Sequence, residues 1–161
     1  MSYGVRIKIS SENIDPLLAK IRRLDGHAEE PLEIAGVEAH TIIKEKFQNQ
    51  GPGWARLSER TLLKRRNADK SSVKILLDEG TLRDSITSQA GQESVYVLTG
   101  RELLIGSNLV YAAIQNFGWP SGGKHPPPTI PARPYLPTPE ELIPRLEAEL
   151  TAWLDDHLKG P

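Results

Sequence analysis

The chain has four histidines and no cysteine, which limits the chemistry open to it. His40 has Glu38 and Glu45 close by in the sequence, but the H-E-x-x-H spacing of a helical zinc site is absent. His40 is therefore read as a partly buried or surface side chain rather than a ligand. His27 falls in a turn, His125 beside prolines and His157 near the C-terminus, none with a second ligand at metal spacing. Asp78, Glu79 and Asp84 form a small acidic group. Paired carboxylates can do acid–base work, but they need a base or a metal in a cleft. Here they are read as charging the start of a short helix at Gly80-Thr81-Leu82. There is no G-x-S-x-G elbow. Gly118, Gly122 and Gly123 do not follow a strand at the spacing of a phosphate loop. No catalytic residue, cofactor or metal is expected, and the chain is not expected to be an enzyme.

Two stretches are better suited to binding. Residues 56–74 carry Arg56, Arg60, Lys64, Arg65, Arg66, Lys70 and Lys74 against Glu59 and Asp69. They form either a solvated connector or a contact with DNA phosphates or a neighbour's acidic patch. No aromatics are interleaved, so stacking on single strands is not supported. The second stretch is Tyr111 to Tyr135. Its short apolar run ends at Gly118 and leads into Trp119, Pro120 and a Gly/Pro-rich loop at 119–131. Pro126, Pro127 and Pro128 impose an extended backbone. Pro131 and Pro134 bracket Arg133, ahead of Tyr135. Trp119, Pro127, Arg133 and Tyr135 are the expected interface residues. Arg133 is alternatively an internal clamp, and Trp119 alternatively a local lid.

The elements that would position these residues follow from periodicity. At 161 residues one domain is expected. The 20 basic and 21 acidic residues argue against a generic polyanion binder. No apolar run approaches the ~20 residues of a membrane span. No signal-peptide core is visible, so a soluble, cytoplasmic chain is expected. Tyr3, Val5, Ile7 and Ile9 alternate as in a strand. Ile14, Leu17, Leu18, Ile21 and Leu24 follow helical spacing, as do Leu32, Ala35, Ala39, Ile42, Ile43 and Phe47 up to about Gln48. Trp54 is read as anchoring the connector to the core, and Ser58 as a helix cap. Residues 85–89, 94–98 and 102–106 read as three strands of an antiparallel meander, with the N-terminal strand as a fourth. Ser107-Asn108 are expected to cap the helix beginning near Tyr111. Thr138 and Glu141 form a capping box for a C-terminal helix that Pro144 should bend or delay. That helix packs on the sheet or makes a subunit contact. The fold class is α+β: a small antiparallel sheet of about four strands, two N-terminal helices, a C-terminal helix and a long proline-rich loop.

Four elements in a fixed order also carry a family resemblance. Trp54, Leu57-Ser58 and Thr61 fit W-x-x-L-S-x-x-T, and Ile75 to Ile86 fit I-L-x-x-x-G-x-L-x-x-S-I. Tyr111-Ala112, Ile114-Gln115 and Phe117-Gly118 precede Ile130-Pro131-Ala132-Arg133-Pro134-Tyr135-Leu136, and Thr138-Pro139-Glu140-Glu141 opens the last helix. Over roughly residues 30–158 the chain resembles the phage virion morphogenesis proteins, also called tail completion or head-to-tail joining proteins. The motif positions are Trp54, Leu76, Gly80, Leu82, Tyr111, Gln115, Phe117 and Gly118. The resemblance implies a structural protein of the virion neck. Its implied partners are other copies of itself in a ring, portal or connector, tail terminator and tail tube proteins; the alternative, read from the charge of the 56–74 segment, is a DNA-contacting assembly or regulatory protein working through Arg60, Lys64, Arg65, Arg66 and Lys70.

Overall fold

Val5 and Ile9 are buried while Arg6 and Lys8 face solvent, so the first strand has one wet face and one dry face. The computed structural model describes residues 4–10, 29–67, 73–100, 102–119 and 129–158. Strand β1 is Val5–Ser10, β2 is Ser94–Leu98 and β3 is Glu102–Ser107. They form an antiparallel sheet in the order β1-β3-β2. The register places Val5 opposite Ser107, Ile7 opposite Ile105 and Ile9 opposite Leu103. On the other side of β3, Tyr96 faces Ile105 and Leu98 faces Leu103. These pairs share one face, because directly opposed residues point the same way. On the outer face Lys8 pairs with Glu102 at 2.7 Å.

The dry face is covered by helix α1, Glu29–Gln48. Its buried positions include Leu32, Ala35, Ala39, Ile42, Ile43 and Phe47, one stripe at helical spacing. The C-terminal helix α5, Pro139–Leu158, lies against α1. Leu142, Leu146, Leu150 and Leu154 join Ile9, Leu103 and Ile105 in one core around α1. The helix starts at Pro139 and runs through Pro144, so Pro144 does not delay it. The Glu141 carboxylate accepts the Thr138 N–H at 2.8 Å and the Lys46 Nζ at 2.7 Å. Arg145 holds Glu45 through two nitrogens, at 3.2 and 2.6 Å, which fixes α5 to α1.

Three further helices among the described residues are short: α2 at Glu59–Asn67, α3 at Thr81–Thr87 and α4 at Ala112–Phe117. The structure corrects the expected strand at 85–89. Leu82, Ser85 and Ile86 are buried together at 3–4 spacing, so the segment winds as α3 rather than pairing with β2. Three strands remain among the described residues. Ser107-Asn108 do not cap α4: its N-cap is Tyr111, which makes no side-chain capping bond. Ser107 instead ends β3, and its buried hydroxyl bonds that of Ser85 at 2.8 Å. The expected helix over Ile14 to Leu24 lies outside the described residues. No described helix is long and apolar enough to cross a membrane.

Candidate functional site

A second core gathers Val5, Ile43, Phe47, Trp54, Leu82, Ile86, Ala112, Tyr135 and Leu136. Phe47 meets the Trp54 ring edge-on at 5.7 Å and the Tyr135 ring at 5.6 Å. Beside this core lies a cavity of about 700 Å³. Its first wall comes from Arg56, Leu57, Ser58, Thr61 and Arg65, at the start of and along α2. Its second comes from the turn entering α3: Leu76, Asp78, Glu79, Gly80 and Leu82. Its third comes from Tyr111 and Gln115 with Ile130, Pro131 and Arg133. Three motif elements distant in sequence therefore face one space.

Local chemistry explains each wall. The Ser58 hydroxyl accepts the Thr61 N–H at 3.3 Å and starts α2. Gly80, at φ 87, caps α3 with a left-handed backbone that a side chain resists. Leu76 is held at φ 57 in the turn between Lys74 and Leu77. Gln50 reaches this turn by accepting the Ile75 N–H, tying it to the end of α1.

The third wall is a strap, residues 129–137, sewn onto α4. Gly118 ends α4 at φ 79 and ψ 174, a region essentially confined to glycine. Trp119 and Ile130 then exchange backbone hydrogen bonds of 2.8 and 3.1 Å, closing the base of the Gly/Pro-rich loop. The Arg133 N–H donates to Gln115 O at 2.9 Å. Asn116 Oδ1 accepts from the N–H groups of both Tyr135 and Leu136, at 3.0 and 3.1 Å. The Tyr135 hydroxyl donates to Ala112 O at 2.8 Å, and Trp54 Nε1 donates to Pro134 O at 3.3 Å. From the far side, the buried Lys46 donates to Leu136 O at 2.9 Å.

Arg133 is 6% exposed. Its Nε donates to Ala55 O at 3.1 Å and its Nη2 to Arg56 O at 3.4 Å, so the guanidinium clamps the connector to the strap. No carboxylate of a described residue pairs with it. Burial, and secondarily the neighbouring Arg65, lower its pKa. Burial also raises the Tyr135 phenol. The Tyr111 phenol is raised by burial and then by Glu93 and Glu79. Arg65 donates to Lys74 O at 2.7 Å and stands 3.6 Å from Asp78.

The expected interface residues separate. Tyr135 is wholly inside the subunit and has no surface to offer a partner, which corrects that expectation. Its ring fills the second core, because both neighbouring N–H groups are drawn inward by Asn116. Arg133 makes an internal clamp. Trp119 is 47% exposed, and Pro127 lies outside the described residues. The motif residues Trp54, Gly80 and Leu82 are buried. Phe117 is 68% exposed at the end of α4, and Val110 66% and Tyr111 38% just before its start, so both ends of α4 carry exposed apolar side chains. Of the basic segment, Arg60 and Lys64 are exposed on α2, while Arg65 turns back to Lys74 and Asp78. Lys70 and the Arg66 side chain lie outside the described residues. His40 is buried against the Tyr96 ring at 5.7 Å. Among the described residues no group of acidic or imidazole side chains could hold a metal.

Sequence reasoning missed Asn116 and Lys46 as buried polar ties. A polar residue inside the apolar run Ala112–Phe117, at the helix end that meets the strap, was the available signal for Asn116. Lys46 reads from sequence as a helix-end cation like Lys44, and only the fold reveals a carbonyl and a carboxylate at its tip.

A search of curated proteins and of solved structures brings no match for this chain. A family-wide sequence profile matches residues 9–159. That span contains all three walls of the cavity, the strap and α5, and by it the chain belongs to the phage virion morphogenesis family, structural proteins of the virion.

Proposed function

We propose that this chain completes the tail and joins it to the head, as a subunit of a ring at the virion neck or head-proximal tail end. It works by docking, without chemistry of its own. Its neighbours are other copies of itself, the portal or connector on one side, and tail terminator or tail tube proteins on the other. It is made in the host cytoplasm and incorporated during assembly. The observation that carries this reading is the exposed apolar side of α4. Val110, Phe117 and Trp119 keep 66%, 68% and 47% of their surface exposed, although Ala112 of the same segment joins the second core. Apolar groups massed at one place on a surface mark contact sites.

The test is complementation of particles lacking the native chain with a Phe117→Ser, Trp119→Ser double variant. Filled heads and finished tails should accumulate unjoined, while the variant melts like the parent. Normal yields of joined particles would refute the reading, as would a particle reconstruction with this subunit absent from the junction. A second reading is non-specific contact with packaged DNA. It is favoured by Arg60 and Lys64, one turn apart and both exposed on α2. Replacing both with Gln should then lower DNA retention in finished particles, and unchanged retention removes this reading.

A further inference from the structure

Three properties of the cavity describe the group it would take. First, Arg133 is nearly enclosed, yet among the described residues its side chain bonds Ala55 O and Arg56 O, which leaves other guanidinium N–H groups for a ligand. A buried cation without a counter-ion is costly, and a carboxylate brought to it lowers that penalty. Second, Gln115 Oε1 is buried without a hydrogen-bond partner, and Gln115 lines the same cavity. It asks for a donor. Third, among the described residues the lining carries three guanidinium groups, Arg56, Arg65 and Arg133, against two carboxylates, Asp78 and Glu79. That balance accommodates one added negative charge. Between the charges the lining is apolar, from Leu57, Leu76 and Ile130.

We propose that this cavity receives an acidic side chain from a segment of a partner protein, Arg133 taking its carboxylate and Gln115 an adjacent backbone N–H. A polypeptide brings both the anion and the donor, with apolar neighbours for the lining and for Phe117 and Trp119 outside. A nucleic-acid backbone fits less well. A phosphodiester has no donor for Gln115, and its successive charges would approach Asp78 and Glu79. The proposal rests on the docking function above and names the chemistry of the docked segment.

The test is a titration of the isolated, nitrogen-15-labelled chain, following the Arg133 Nε–H signal assigned through its proximity to Ala55. The probes are the blocked tripeptide acetyl-Leu-Glu-Phe-amide, its Gln counterpart, sodium phosphate and a twelve-base DNA duplex. The Glu peptide should shift the Arg133 signal saturably and bind about tenfold more tightly than the Gln peptide, the scale of one charge-assisted hydrogen bond. Gln115→Ala should weaken the Glu peptide severalfold without unfolding the chain. Equal binding of the two peptides, or no movement at Arg133, would overturn the proposal. So would phosphate or DNA moving Arg133 at lower concentration than the Glu peptide. Because no particle is involved, this result can fail while the Phe117 and Trp119 variant still blocks joining.

Discussion

Replacing Asn116 with Ala tests how the strap is held. One side-chain oxygen, Asn116 Oδ1, satisfies two backbone donors, the N–H groups of Tyr135 and Leu136. Asn116 is 4% exposed, Tyr135 0% and Leu136 6%, so bulk water does not substitute for the lost acceptor. Each buried donor left without a partner costs about 1–3 kcal/mol. The two together give about 2–6 kcal/mol, and partial relaxation of the strap brings the expectation to about 3 kcal/mol. That is a large share of the ~5–15 kcal/mol that holds a domain together. At ~2–4 °C per kcal/mol for a chain of this length, the melting temperature should fall by about 6–12 °C.

Urea unfolding followed by circular dichroism measures the loss. Tryptophan fluorescence of a Trp119→Phe, Trp153→Phe background reports the strap separately, since the remaining Trp54 donates to Pro134 O. Asn116→Asp keeps the acceptor and should lose less than Asn116→Ala. Hydrogen exchange should show the Tyr135 and Leu136 amides losing more protection than those of Leu103 and Ile105 in β3. A loss below about 1 kcal/mol in the Ala variant, with both amides still protected, would refute the claim that Asn116 holds the strap.

Gly118→Ala should cost about 2 kcal/mol or more, because φ 79 with ψ 174 is closed to a side chain. A Cβ there would also stand 2.8 Å from Ala132 N and 2.9 Å from Ile130 O, both backbone atoms with little room to retreat. Thermal melting checks it, and a loss under about 0.5 kcal/mol would contradict it. For His40, burial and then Lys44 lower the pKa below the ordinary histidine value of 6.5. Below pH 6.5 the unfolded chain takes up this proton while the folded chain does not, so stability falls as pH drops from 6.5 toward the lowered folded value. His40→Phe should flatten this part of the stability profile, measured by urea unfolding between pH 5 and pH 7, and an unchanged slope would refute it.

Much of the fold was legible where one physical rule dominated. The stripe Leu32 to Phe47 reads as a helix because its apolar residues recur every three or four positions, and α1 buries that stripe. Val5 to Ile9 reads as a strand because polar residues alternate with apolar ones. The segment Ser85 to Gln89 misled because Ile86 and Thr87 favour strands while the decisive contacts are tertiary. Ser85 meets Ser107 at the end of the central strand β3, and Leu82 with Ile86 seals the second core. The candidate site was legible as a set of motif residues but not as a place. Nothing in the spacing of Leu57, Leu76, Gln115 and Arg133 says that they surround one cavity. Nor does composition show that Tyr135 is inside and Phe117 outside, since both are aromatic residues beside glycine or proline. The hydrogen bonds of Asn116 decide it.

The exposed side of α4 sets a limit on how strongly a single contact can form. Burying an aliphatic or aromatic side chain completely is worth about 1.5–3 kcal/mol. Phe117 at 68%, Val110 at 66% and Trp119 at 47% exposure still hold roughly half to two thirds of that each. Together they offer roughly 4 kcal/mol on docking. Association itself costs an estimated ~4–15 kcal/mol in lost translation and rotation. Even two copies burying this patch against each other would gain only roughly 8 kcal/mol, within the cost of association, so a stable assembly needs several contacts closing at once, as in a ring or against an existing surface. The isolated chain is expected to sediment as a monomer at micromolar concentration and to associate only when a partner surface is supplied. A tight dimer persisting at nanomolar concentration would show that the interface energy lies elsewhere on the molecule, and that the apolar side of α4 is not the dominant contact.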